Sequence, residues 1–129
     1  MVGPSTGPAS VARRTMELFA GMPVSDLERA KEWYSRLLGA EPSFLPNDVE
    51  AVWTLEDQRH VYVVKDDQRA GGGHLTLFVT DFDERTQAIS RRDIEPTTDE
   101  TYENGVRKVE YHDPDGNQLG IGGGPSEEA

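Results

Sequence analysis

A chain of 129 residues has room for one compact domain that buries roughly two-thirds of its unfolded surface. It contains no cysteine, which excludes a disulfide framework, a thiolate metal centre and a thiol nucleophile. Acidic residues outnumber basic ones 24 to 13, for a formal charge of −11; such a surface repels nucleic acid and anionic membrane and attracts cationic ligands, or simply keeps the protein soluble.

Residues 1–15 lack the apolar run of a secretory signal and are expected to form a flexible tail. No later run is long enough to span a bilayer, so a soluble, cytoplasmic protein is expected. Met16 to Met22 reads as a first strand, with Leu18, Ala20 and Met22 on one face and Glu17, Phe19 and Gly21 on the other. A helix follows. Ser25 and Glu28 have capping-box spacing, Leu27, Ala30, Tyr34, Leu37 and Leu38 recur at helical period, and Gly39 supplies the stop. Trp33 and Tyr34 on this helix read as core. Phe44-Leu45 starts a short strand before a Pro46-Asn47-Asp48 turn, and Glu50 to Leu55 with His60 to Lys65 forms a hairpin. Asp66 to Gly73 is a linker.

His74 to Val79 alternates again, with Leu75, Leu77 and Val79 against His74, Thr76 and Phe78. A second helix begins near Thr80 and Asp83, with a thinner stripe of Phe82, Ala88 and Ile89. Glu95 to Gly105, carrying Tyr102, reads as a loop. The chain then closes on a hairpin turned by Asp113-Pro114-Asp115-Gly116-Asn117, where Pro presets φ, Gly accepts φ > 0, and the Asp and Asn side chains hold the loop's own amides. Gly122 to Gly124 follows a strand and opens no helix, so it is no phosphate loop. Residues 125–129 are expected to be a second tail.

The two halves overlay. Phe19 to Leu27 matches His74 to Phe82 at an offset of 55, and Val49 to Val63 resembles Val106 to Gly120 at 57. One β-α-β-β-β unit is therefore used twice, giving an α+β domain over residues 16–124 with modules at about 16–66 and 74–122. If each helix covers one side of its sheet, the alternate residues line the opposite, concave side. That side is expected to carry Phe19, Val63, His74, Thr76, Phe78, Gln118 and Gly120, joined by Trp53 and Glu110.

Val24-Ser25-Asp26-Leu27, Trp33-Tyr34, Leu37-Leu38-Gly39, His74 to Asp81 and the Asp-Pro-Asp-Gly-Asn turn, in this order and spacing, resemble the vicinal oxygen chelate superfamily of glyoxalases, bleomycin-resistance proteins and extradiol dioxygenases. The resemblance covers roughly residues 16 to 122. It implies two βαβββ modules building cupped mixed sheets around a cleft, with helices on the outer faces and a homodimer partner supplying part of the cup. Enzymes of the family hold a divalent metal at the ends of four strands, and the matching positions here are Phe19, about Val63, His74 and Gly120. Only the imidazole can coordinate, so no metal and no cofactor are expected.

His74 has three readings: a hydrogen-bonding histidine at a strand start, a contact to a ligand, or a lone base. His60 and His112 flank turns and read as solvated. The aromatic residues Phe19, Trp53 and Phe78, with Phe44 and Tyr102 from neighbouring loops, offer either flat walls for a planar ligand or ordinary core packing. Glu110 and Gln118 are candidates to fix a polar or cationic group, although Glu110 could instead pair with Lys108 or Arg107. Metal-poor members of the family sequester antibiotics such as bleomycin, mitomycin and enediyne-type compounds. The resemblance thus implies a non-catalytic protein that binds an aromatic natural product through Phe19, Phe44, Trp53, Val63, His74, Phe78, Tyr102, Glu110 and Gln118. The alternatives are a glyoxalase- or dioxygenase-like enzyme using His74 and Glu110 as acid-base groups, and a small structural or regulatory domain.

Overall fold

Met22 and Val24 are fully buried while Phe19 and Gly21 on the same strand stay exposed, and this one-sided alternation sets the plan of the computed structural model, which describes residues 16–125. The expected tails at 1–15 and 125–129 lie outside the described residues except for Pro125. The elements run β1 (Leu18–Val24), α1 (Leu27–Leu38), β2 (Phe44–Asn47), β3 (Glu50–Glu56), β4 (Arg59–Lys65), β5 (His74–Val79), α2 (Phe82–Arg91), β6 (Thr98–Thr101), β7 (Arg107–His112) and β8 (Gln118–Gly123).

They form two four-stranded sheets of identical plan, β1-β4-β3-β2 and β5-β8-β7-β6. In each, the strand before the helix pairs in parallel with the last strand of its module, and the other pairs are antiparallel. This is the α+β arrangement of two βαβββ modules. Among the described residues no helix is long and apolar enough to cross a membrane.

Several boundaries differ from the sequence reading: β1 starts at Leu18 and α2 is capped at Asp81. Asp26, not Ser25, caps α1: its carboxylate accepts from Arg29 N at 3.0 Å, and Gly39 ends the helix at φ 78°. The segment read as a loop holds β6, a fully exposed edge strand of Thr98-Asp99-Glu100-Thr101. Its side chains carry no apolar alternation, and only its backbone pairing with β7 makes it a strand.

One apolar core serves both modules. Met22, Val24, Trp33, Tyr34, Leu37, Trp53 and Val63 meet Phe82, Ile89, Val109, Tyr111, Leu119 and Ile121 behind the sheets. The helices cap each other's ends: Arg92 donates through Nε to Arg36 O and through Nη2 to Leu37 O (3.1 Å), and Arg36 Nη1 returns a bond to Arg92 O at 3.0 Å. Cationic donors at helix carboxy-termini satisfy orphan carbonyls and oppose the negative end of the dipole.

The Asp-Pro-Asp-Gly-Asn turn does more than reverse the chain, because it latches the modules together. Asn117, with no exposed surface, donates to Pro23 O at 2.7 Å and to Asp113 Oδ2 at 2.8 Å, and accepts from Gly73 N at 2.6 Å. Asp113 also accepts from Tyr34 Oη of α1 at 2.8 Å. Asp115 reaches the start of α1, accepting from Ser25 N at 3.0 Å and from Ser25 Oγ at 2.6 Å. Burial, reinforced by the Asp113 carboxylate, pushes the Tyr34 phenol far above its ordinary pKa and keeps it a donor.

Candidate functional site

The face of each sheet turned away from its helix is open, and the strand registers say which side chains stand on it. In the first module Phe19, His60 and Thr54 form one cross-strand row, and Gly21, Tyr62 and Val52 the next. Phe44 extends the second row through its pairing with Val52. In the second module the rows are His74, Gln118, His112; then Thr76, Gly120, Glu110, Thr98; then Phe78, Gly122, Lys108, Glu100.

Phe19, His74, Phe78 and Gln118 therefore stand where alternation put them, Glu110 stands on the same side, and Phe44, grouped with loop aromatics, starts β2. Trp53 and Val63 do not stand on that side. Trp53 is 1% exposed, donates through Nε1 to Ala40 O at 2.9 Å, and packs 5.8 Å from the Tyr34 ring. Val63 pairs with Met22 and Ala51 on the same core side. The cause is register. Thr54-His60 and His112-Gln118 are the matching pairs, so the later repeat runs at an offset of 58 (118 − 60), not 57. A slip of one residue turns every side chain to the other face.

With the register corrected, the first-module counterpart of Gly120 is Tyr62 rather than Val63. The signal was legible: in His60-Val61-Tyr62-Val63 the polar-tipped residues alternate with valines. His60, read as solvated, is 7% exposed. Its Nε2 lies 3.0 Å from Glu17 Oε2, its Nδ1 lies 2.9 Å from Thr54 Oγ1, and its ring stacks on Phe19 with centroids 4.2 Å apart and planes 17° from parallel. Tyr62 meets Phe19 edge-on at 6.5 Å. Its ring covers Gly21, where an added Cβ would stand 2.5 Å from Tyr62 Cζ.

The second module is floored by glycine and edged by charge. The Phe78 ring, 67% exposed, lies against Gly122, and Lys108 Cε with Thr76 Oγ1 fill the space beside Gly120. Glu110 Oε2 lies 3.5 Å from Lys108 Nζ and 3.9 Å from His74 Nε2. The Lys108 pairing anticipated for Glu110 is thus present. His112 Nδ1 contacts Thr97 Oγ1 at 2.8 Å. A hydrogen bond with Glu100 raises the pKa of the exposed Tyr102 phenol at the rim.

The family's divalent metal does not fit these side chains. Phe19, Tyr62, His74 and Gly120 offer one imidazole and one phenol, and the space a carboxylate at 120 would need is taken by Lys108 and Thr76. Among the described residues no three His, Asp or Glu side chains cluster to hold a metal. Two large hollows lie beside the helices, and the second reaches Phe78 of the open-face rows. One of about 890 Å³ runs beside α1 between Glu32, Arg36, Leu45 and Arg92, and one of about 460 Å³ lies at the start of α2 beside Phe78, Asp83 and Arg107.

Residues 16–121 match the Glyoxalase/Bleomycin resistance protein/Dioxygenase superfamily. A glyoxalase / bleomycin resistance protein from Catenulispora acidiphila is 47% identical, over 86% of this chain and 100% of that one, with a TM-score of 0.83. A lactoylglutathione lyase from Agrobacterium tumefaciens (17% identity, 86% and 94% covered, TM-score 0.71) and a bleomycin resistance determinant encoded on transposon Tn5 (18%, 85% and 98%, 0.70) share the fold. No match is found among curated proteins. The model match over most of the chain, with the 47% identical structure beside it, makes this protein a member of the glyoxalase/bleomycin resistance protein/dioxygenase superfamily.

Proposed function

We propose that this protein binds and sequesters a planar aromatic natural product of the bleomycin, mitomycin or enediyne kind, without chemical change to it. One observation carries the reading: the face on which the family's enzymes place metal ligands holds rings instead. Phe19, Tyr62, Phe44 and Phe78 stand exposed or half-buried on it. Such rings give area and geometry for stacking, while Glu110, Lys108 and Gln118 supply the few polar groups that orient a ligand. The likeness in fold to the transposon Tn5 bleomycin resistance determinant agrees with this.

Protection then works by mass action. A binder with nanomolar dissociation holds its drug with about −12 kcal/mol and needs no cofactor. The apolar exposure of Phe19, Phe78 and Phe44 on the open faces further supports a homodimer in which a second copy covers part of this surface. Calorimetric titration with bleomycin, followed by recovery of the ligand for mass analysis, tests the reading: saturable binding and unchanged ligand are expected.

The 3.9 Å approach of His74 to Glu110 favours a second reading, an enzyme using this pair as acid and base. Turnover of glyoxalase or catechol substrates, abolished by His74→Ala, would select it.

A further inference from the structure

An exposed phenylalanine on a strand ordinarily samples several rotamers, and a ligand that stacks on it must stop that motion at an entropic cost. Phe19, 46% exposed, is different, because its inner face rests on an imidazole that is itself held at both nitrogens. Resting on the binding reading above, we propose that Glu17, His60 and Thr54 form a clamp that holds Phe19 as a rigid stacking plate, which makes His60 a positioning residue for a planar aromatic ligand.

The proton arrangement follows from donor and acceptor chemistry. The Glu17 carboxylate only accepts, so His60 Nε2 carries a proton and donates to Oε2 across 3.0 Å. With one proton on the ring, Nδ1 keeps a lone pair and accepts from the Thr54 hydroxyl across 2.9 Å. Both bonds lie at the ring's edge, so they fix its plane, and the plane fixes Phe19 at 17° from parallel. Tyr62, edge-on at 6.5 Å, closes the side toward the next row.

The fold alone does not demand this device. The equivalent row in the second module is His74, Gln118 and His112. There the strand-start residue is a half-exposed histidine whose nearest charged partner, Glu110, belongs to the next row at 3.9 Å. One module carries a fixed plate and the other a looser polar set.

The test is ¹⁵N-edited imidazole NMR on the full chain at about pH 7.5, above the ordinary titration range of histidine, combined with bleomycin titration of wild type, Thr54→Val and Glu17→Ala. The clamp requires a single Nε2–H tautomer for His60 in the wild type, and ring protons of His60 shifted upfield by Phe19. Both signatures should fade in either variant. Bleomycin affinity should then fall about three- to tenfold, the range of one aromatic pair. A His60 whose single proton sits on Nδ1, or one averaging between tautomers, overturns the clamp, as does undiminished bleomycin affinity in both variants. A wild type that ignores bleomycin tells against the binding reading instead, and the imidazole and Phe19 signals alone then decide the clamp.

Discussion

Tyr34 Oη donates to the buried carboxylate of Asp113 at 2.8 Å, joining the first helix of one module to the turn signature of the other. Tyr34→Phe leaves that carboxylate one donor short in a site that is 4% exposed, a loss of about 1.5–3 kcal/mol for a hydrogen bond to a charged group. Denaturant unfolding measures it directly.

The same phenol makes stability depend on alkaline pH. Its folded pKa is raised above the unfolded value of 10.0, so its contribution is complete below pH 10 and declines above it, as the unfolded chain ionises and the folded one does not. The slope is about 1.4 kcal/mol per pH unit for one such group. Tyr111, pushed up to about 12 by burial and then by Glu95 and Asp99, adds to the loss between its unfolded pKa and that value. Stability curves between about pH 9 and pH 11.5 should fall less steeply in Tyr34→Phe than in the wild type.

Trp53 and Phe19 should separate stability from binding. Trp53→Ala empties a core position and removes a donor from Ala40 O, costing about 3–5 kcal/mol. Phe19→Ala and Phe78→Ala remove residues that are 46% and 67% exposed, so thermal unfolding should change little while affinity for a stacked ligand falls about three- to tenfold each. Equal losses of stability in all three would deny that distinction.

Two glycines should behave differently although both are crowded. At Gly21 an added methyl meets the far end of the Tyr62 ring at 2.5 Å, and that ring can swing aside. At Gly123 the methyl meets Phe82 Cβ at 2.6 Å, an atom tied to the α2 backbone. Gly123→Ala should therefore cost about 1–3 kcal/mol, and Gly21→Ala clearly less while displacing Tyr62 from the open face. Paired thermal melts and the Tyr62 ring resonances read both effects.

The contrast between Phe19 and Val63 explains how much was legible in the chain. Strands bounded by a helix cap, such as β1 and β5, have their parity pinned by the amphipathic element that follows, so Phe19, His74 and Phe78 could be assigned to a face from alternation alone. β4 sits after a hairpin with a register irregularity between Thr54 and Glu56, and Val61, Val63 and Val64 fit either face. The alternation of His60 and Tyr62 with Val61 and Val63 points to the open face, and pairing across strands fixes it. The stack of Phe19 on His60 was beyond reach for the same reason, since the residues lie 41 positions apart (60 − 19) and meet through a parallel pairing. The role of the Asp-Pro-Asp-Gly-Asn turn was only half visible. Its local geometry is written in the residue types, whereas its bonds to Pro23, Ser25 and Tyr34 depend on how the modules meet.

The central claim is that rings have replaced a metal centre, so the protein holds its ligand and does not transform it. Isothermal titration of the purified chain against bleomycin, mitomycin and an enediyne chromophore, with each ligand recovered and weighed by mass spectrometry, tests this most directly. Saturable binding of one of these, ligand recovered intact, and loss of binding in a Phe19→Ala, Phe78→Ala double variant are the predicted results. Undiminished binding in that variant, catalytic conversion of the ligand, or indifference to all three compounds would contradict it.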